Sequence, residues 1–351
     1  MALPKVPNTD GRCRVDGVFR SRAMRIGVAA IAVLCAPMLV TVAYGQGLSP
    51  GDVLKRLAAE DISETLLNLV SFTNDPGVGG ATFKVKADGG QTDITYSKVN
   101  IRIDKDFWLP DRNLAIYGDI NFSFLNVDDE FFRENALGER VFFNGDRNFY
   151  SGRIGLGVSH MITDHIRIRP FVSAALTRIE SKTDVSGNIN IAQLPPALAT
   201  ALLDWSTNAW TVAGTLNAKY DRFWGEEEER FEVEFDYTYA YHESFNEDLD
   251  RVSFAGTTDT LNLLVRYSEP TGAKVFGLPL RWNALVETSI FPTVDKDDTG
   301  FKFYFTFGGG LDLQIDWKPF GIDAYRYLGL RVSGLVGDDL TGFGVSISLR
   351  N

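Results

Sequence analysis

The chain has 351 residues, 23% of them charged and 44% hydrophobic, and its 46 Asp and Glu outnumber 35 Lys and Arg, leaving a formal net charge of -11. A mean hydropathy of -0.07 is too polar for a bundle of membrane helices, and the acidity argues against nucleic acid as a partner. With 33 Gly, 25 Phe, 12 Tyr and 6 Trp, the composition is that of an all-β protein rich in turn formers and strand aromatics.

Residues 1–45 read as a signal peptide. Arg22 and Arg25 precede an apolar run from Ile26 to Val42, and the small residues around Ala43-Tyr44-Gly45 suit cleavage before Gln46. Met24 opens a stretch that looks like a complete signal by itself, so translation is expected to start there. The two cysteines, Cys13 and Cys35, both fall in this segment, which leaves no thiol downstream for a disulfide or a zinc site, and no cofactor is expected.

Residues 46–78 are expected to form one amphipathic helix and a linker. Val53, Leu54, Leu57, Ile62, Leu66, Leu69 and Val70 recur at helical spacing up to a stop at Asn74-Asp75-Pro76-Gly77. From residue 79 onward the pattern changes to alternation. The expected strands are Ala81–Ala87, Thr92–Phe107 with a bulge, Leu114–Asn126, Tyr150–His160, Ile166–Thr177, Trp210–Tyr220, Phe231–Tyr241, Thr260–Tyr267, Leu280–Ile290, Phe301–Ile315, Leu328–Leu335 and Phe343–Leu349. A polar loop is expected between Asn126 and Asn148, and a helical turn near Pro196–Leu203. In the clearest strand, Phe231, Val233, Phe235, Tyr237, Tyr239 and Tyr241 alternate with Glu232, Glu234, Asp236, Thr238 and Ala240.

About twelve such segments, with short connections at Pro110, Thr163, Gly225, Thr271 and Pro319 alternating with generally longer ones, predict a transmembrane antiparallel up-and-down β-barrel. Its apolar side meets lipid and its polar side lines the lumen. Ten residues at about 3.3 Å each, tilted by about 40°, span roughly 25 Å, the height of an outer-membrane apolar band. Aromatics near strand ends, at Phe107-Trp108, Phe223-Trp224, Tyr239–Tyr241 and Trp317–Phe320, suit interfacial girdles. A soluble sandwich remains open, because one alternating strand serves either architecture.

On the barrel reading, Arg153, Arg167, Arg169, Lys219, Glu232, Glu234, Asp236, Arg266, Arg281 and Asp312 point into the lumen. Interleaved signs favour a paired structural network over a filter of one sign. Arg153, Arg167 and Arg169 on adjacent strands leave open a porin for small anionic solutes or oligosaccharides. The three histidines, His160, His165 and His242, show no metal-ligand or nucleophile spacing, so catalysis is not expected. The alternative of an outer-membrane hydrolase would rest on His242, Glu243 and Ser244 near the outer rim.

The layout of helix, about twelve strands and a terminal barrel resembles the translocator domains of autotransporters, and most closely the solitary autotransporter-like outer-membrane barrels of Gram-negative bacteria. No room for a passenger lies between residue 45 and the first strand. The closing segment, with Gly344, Ile347 and Leu349, is similar to the C-terminal signal read by the barrel assembly machinery, although Leu349 replaces the usual aromatic and Arg350-Asn351 extend past it. The resemblance implies residence in the outer membrane, with its lipid and lipopolysaccharide as partners. It also implies that a helix over 52–70 threads the pore, with Lys55, Arg56, Glu60, Asp61 and Glu64 against the charged wall.

Overall fold

Successive side chains of a strand point to opposite faces, so a run of alternating residues is stable only where its two faces meet different media. The computed structural model describes residues 63–75, 79–86, 94–110, 112–134, 140–187, 204–225, 229–248, 252–294, 299–317 and 325–350. One helix, α1 (Ser63–Asn74), precedes twelve strands: β1 (Gly80–Val85), β2 (Ile94–Trp108), β3 (Leu114–Glu134), β4 (Arg140–Thr163), β5 (Ile166–Gly187), β6 (Trp205–Trp224), β7 (Glu229–Phe245), β8 (Ala255–Val275), β9 (Leu278–Ile290), β10 (Phe303–Trp317), β11 (Tyr325–Gly337) and β12 (Leu340–Arg350). Each strand pairs antiparallel with its sequence neighbours, and β1 pairs with β12, closing the barrel. The signal segment, residues 52–62 and the turn expected near Pro196 lie outside the described residues.

The faces are inverted relative to a soluble protein, which rules out the sandwich. Ile154, Leu156, Val172 and Leu176 are each more than 60% exposed, whereas Arg169, Glu232, Asn217 and Asp312 are 2% exposed or less. Exposed aromatics sit at both ends of the apolar band, Phe107 and Trp108 at the short-turn end and Tyr239 and Tyr241 at the other. No helix among the described residues is long and apolar enough to cross a membrane.

Several expected boundaries need correction. The stretch expected as a polar loop after Asn126 is strand: β3 and β4 pair without interruption from Leu114↔His160 to Glu134↔Arg140. Beyond the bilayer both faces of a hairpin meet water, so hydrophobic alternation stops while backbone pairing continues. The β2–β3 register runs unbroken from Thr95 to Trp108, so β2 has no bulge. Register shifts fall instead at Met161/Thr163, Pro270/Lys274 and Gln314/Trp317. The turn expected at Thr271 lies at Phe276-Gly277, where both residues have positive φ, 52° and 80°, as a two-residue hairpin of matching twist requires.

Two apolar faces also point the opposite way from the alternation rule. In β1, Phe83 and Val85 are 1% and 4% exposed and face inward, while Lys84 is exposed. Phe301, expected to face lipid at the start of a strand, precedes β10 and is 1% exposed. Both pack on α1, which supplies an apolar surface inside the barrel.

Candidate functional site: the barrel lumen

The lumen has two chemically different halves. Toward the long-loop end, α1 buries Leu66, Leu69, Val70 and Phe72 against a shell that includes Phe83, Tyr96, Leu125, Phe149, Phe254, Phe291 and Phe301. Phe72 is the centre of this shell. Its ring meets Phe83, Phe291, Phe301 and Tyr304 edge-on, with centroids 5.7, 5.9, 5.4 and 6.2 Å away. Aromatic pairs prefer such T-shaped contacts because ring edges are positive and faces negative.

The helix axis runs down the barrel. Leu67 sits against Gly256, Ser71 Oγ accepts a hydrogen bond from Thr258 at 2.9 Å, and Asp75 Oδ1 accepts one from Asn262 at 2.8 Å, three contacts descending along β8 from its outer end. The C-terminal carbonyls, which no further helical turn satisfies, therefore arrive mid-barrel. Lys98 meets them there: its buried Nζ donates to Phe72 O at 2.6 Å and to Asp75 O at 2.7 Å, and lies 4.3 Å from the Phe72 ring centroid. A cation at a helix C-terminus is favoured by the carbonyl dipoles. Asn100 and Tyr304 also donate to Asp75, and Ser151 Oγ donates to Asn74 Oδ1 at 2.6 Å.

The wall that α1 meets is thus mainly apolar, with its polar contacts at the C-terminal end. Of the helix charges expected against a charged wall, Glu64 is the one within the described residues. Glu64 is exposed, and Lys55, Arg56, Glu60 and Asp61 lie outside the described residues. Residues 71–74, beyond the 52–70 expected to thread the pore, carry much of the docking.

Toward the short-turn end the ten charged residues read from sequence all lie on inward-facing strand positions, and the structure adds their partners. Arg153 Nη2 donates to Asp119 at 2.7 Å, with Arg102 Nε 3.6 Å from the same carboxylate. Gly155, paired across from Asp119, makes this possible: a Cβ there would stand 1.9 Å from Asp119 Oδ1. Arg167 and Arg169 share Asp106, and the Arg169 guanidinium lies 4.0 Å from the Tyr117 ring centroid. The arginine track that suggested an anion-conducting pore is therefore neutralised by Asp106 and Asp119.

Glu232 is the hub of the opposite wall. It takes Lys219 at 2.5 Å, Arg266 at 3.0 Å, Arg350 at 3.3 Å and Arg230 at 3.7 Å. Glu234 and Asp236 share Asn217 Nδ2 at 2.8 Å each, and Asp312 pairs with Arg350 and accepts from Asn283. Arg281 donates to Ser268 O at 3.2 Å. Burying so many charges is tolerated only because each group finds opposite charge or hydrogen bonds. Parity places Arg350 on the face of β12 that carries Ser346 and Ser348, so it is a strand residue lining the lumen and not an overhang past the closing signal.

Of the closing residues, Gly344 faces inward opposite Ala81 and Ser333, Ile347 is 73% exposed, and Leu349 is half-buried. His242 is buried, not at an open rim. Its Nδ1 and Nε2 each lie 2.8 Å from a threonine hydroxyl, Thr211 and Thr258, while Ser244 Oγ donates to Glu247 at 2.6 Å. His242 and Ser244 thus engage different partners. Among the described residues no group of His, Cys, Asp and Glu is arranged to hold a metal ion.

Comparison with known proteins gives three kinds of result. No curated protein matches the chain. Among solved structures it is similar to the translocator domain of the autotransporter NalP from Neisseria meningitidis (11% identity, 81% of this chain and 91% of that one, TM-score 0.46). It is similar also to the transport unit of AIDA-I from Escherichia coli (10%, 82% and 99%, 0.45) and to the beta domain of the Bordetella autotransporter BrkA (12%, 78% and 98%, 0.45). The sequence profile of the solitary outer membrane autotransporter beta-barrel domain matches residues 95–269. A closed twelve-strand barrel with its apolar face outward carries that match, and the chain belongs to the solitary outer membrane autotransporter β-barrel family.

Proposed function

We propose that this is a closed, non-catalytic barrel of the Gram-negative outer membrane, exported by a cleaved signal peptide, in which α1 occludes the pore. The observation that carries this reading is the docking of Phe72 and of the α1 C-terminus onto Lys98, Ser151, Asn262 and Tyr304, side chains contributed by four different strands. A helix about 10 Å across fills a barrel of this size when its side chains interdigitate with the wall. The paired charges of the other half narrow the remaining lumen and rigidify it.

Planar-bilayer recording tests the proposal. The full chain should show little conductance, and deletion of residues 46–75 should open a steady pore, provided the deleted barrel still shows heat-shifted gel mobility. Equal conductance of the two folded proteins would refute occlusion. The same reading takes the closing strand, with Gly344, Ile347 and Leu349, as the segment engaged by the barrel assembly machinery. Replacing Ile347 by Asp should then reduce insertion of the protein into outer membranes in cells more than spontaneous refolding in detergent, and equal losses would argue against recognition.

A further inference from the structure

Among the described residues the wall of the barrel is incomplete in its short-turn half. β1 pairs over Gly80–Val85 only, with Val99–Ile94 of β2, and through Ala81–Val85 with Gly344–Leu340 of β12. Beyond this, Asn100 N–H still donates to Gly79 O, but among the described residues β2 from Ile101 to Trp108 pairs with β3 alone and β12 from Val345 to Arg350 with β11 alone. Since β1 separates these two strands higher up, a slot one strand wide runs below its start. Tyr325 hydrogen-bonds the Asp104 backbone across its lower part. The residues beside it face lipid: Ile101 is 58% exposed, Val345 54% and Ile347 73%. Unpaired strand edges at membrane depth are costly unless something satisfies them.

A cavity of about 530 Å³ meets this slot. Consecutive residues 101–104 and 346–350 line it, inward-facing and outward-facing alike. Neighbours in a strand point to opposite faces, so both line one cavity only where it meets the edge of the strand. The cavity therefore runs from the charged lumen toward the lipid-facing surface.

Its inner end holds polar atoms without partners. Arg331 Nε and Nη2, Arg350 Nε and Ser348 Oγ are all buried with no hydrogen-bond partner, and Arg331 has no ion pair among the described residues. Arg266 and Arg350 both press on Arg331 electrostatically, and of the two carboxylates that act on it Asp312 is already paired with Arg350 and Glu232 with both Arg266 and Arg350. Small residues make room here, since Arg331 stands opposite Ser346, and Gly329 opposite Ser348. A guanidinium whose buried N–H groups reach no acceptor is an anion site by its chemistry.

We propose that the slot holds a phospholipid of the periplasmic leaflet. Its phosphate sits on Arg331, Arg350 and Ser348, and its acyl chains leave between β2 and β12 along Ile101, Ile103 and Ile347. Continuity of one cavity with both the unpartnered guanidinium N–H groups and an apolar outer wall selects an amphiphile over a soluble anion. This inference stands apart from occlusion by α1, which occupies the other half of the lumen.

The test is lipid retention. The full chain, purified from membranes in phosphate-free detergent and stripped of lipid, is titrated with phosphatidylglycerol and followed by native mass spectrometry. One saturable lipid per barrel is expected. Arg331→Gln should weaken it about tenfold or more and Ser348→Ala about two- to tenfold, the range for hydrogen bonds to charged and neutral donors. Arg178→Gln, at an exposed pair with Glu180, should leave it unchanged. Heat-shifted gel mobility confirms that each variant is folded, and Ser348→Ala keeps the test intact if Arg331→Gln is not. Equal retention by wild type and Ser348→Ala overturns the proposal. So does displacement of the lipid by inorganic phosphate at comparable concentration, which would mark a soluble anion, equal retention of a phosphate-free diacylglycerol, or a second polypeptide strand found in the slot.

Discussion

Phe72→Ala should undock α1 while leaving the barrel intact. The ring is 2% exposed and touches four other aromatic rings and the Lys98 ammonium, so little of the void left behind can collapse. Truncating a buried Phe costs about 3–5 kcal/mol, and loss of several edge-on ring contacts places this site toward the upper end. The strand ladders do not depend on the ring, so the cost falls on the docking equilibrium. At about 1.4 kcal/mol per factor of ten, the undocked population rises roughly a hundredfold to a few thousandfold. Hydrogen exchange of the α1 amides measures this directly, because docking protects them and undocking exposes a twelve-residue helix too short to persist alone. Exchange of the strand amides should not change. Protection of α1 that survives the substitution would refute the claim that this aromatic cluster holds the helix.

Lys98→Met keeps the length of the side chain but leaves the Phe72 and Asp75 carbonyls without their cation. It should weaken docking by about 1.5–3 kcal/mol per charged hydrogen bond lost, read as faster α1 exchange, and unaltered exchange would contradict the assignment of Lys98 as the helix cap. Glu232→Ala removes the shared acceptor of Lys219, Arg230, Arg266 and Arg350 and should destabilise the folded barrel by about 3–5 kcal/mol, lowering the temperature at which the compact gel band is lost. Arg178→Ala, at an exposed pair, should shift that temperature little; similar shifts for both would undermine the hub. Gly155→Ala would drive a methyl into the Asp119 carboxylate and break its pairing with Arg153, destabilising by about 1–3 kcal/mol. An unchanged melting temperature would show that the carboxylate can move aside without cost.

The inside-out barrel was legible because lipid enforces it: residues such as Ile154, Leu156, Val172 and Leu176 can recur at every second position only if that face meets acyl chains. Strand ends were harder. Past the bilayer the β3–β4 hairpin keeps its ladder although nothing demands an apolar face, so Asp128 and Asp129 read as loop. The inward turn of Phe83 and Val85 was hidden for a different reason, since Phe-Lys-Val-Lys looks the same whether its apolar side meets lipid or a helix, and only the position of α1 decides. The charged lumen residues could be placed by parity, but their partners could not. Asp119 was on the polar face of its strand, yet nothing local ties it to Arg153, 34 residues away. The unfinished edge beside β12 is not legible from alternation, which marks each strand but not which strands lie side by side beyond the start of β1.

The central claim is that aliphatic and aromatic side chains face lipid while the charges are enclosed, and nitroxide scanning of β5 in lipid bilayers tests it most directly. Single cysteines at 171–177 are labelled, and their collision rates with oxygen, enriched in hydrocarbon, and with a water-soluble nickel chelate are compared. Val172, Ala174 and Leu176 are exposed in the structure and Ser173, Ala175 and Thr177 buried, so oxygen accessibility should peak at 172, 174 and 176 with little response to the chelate. Chelate accessibility peaking at those same three positions would place that face in water and contradict the account.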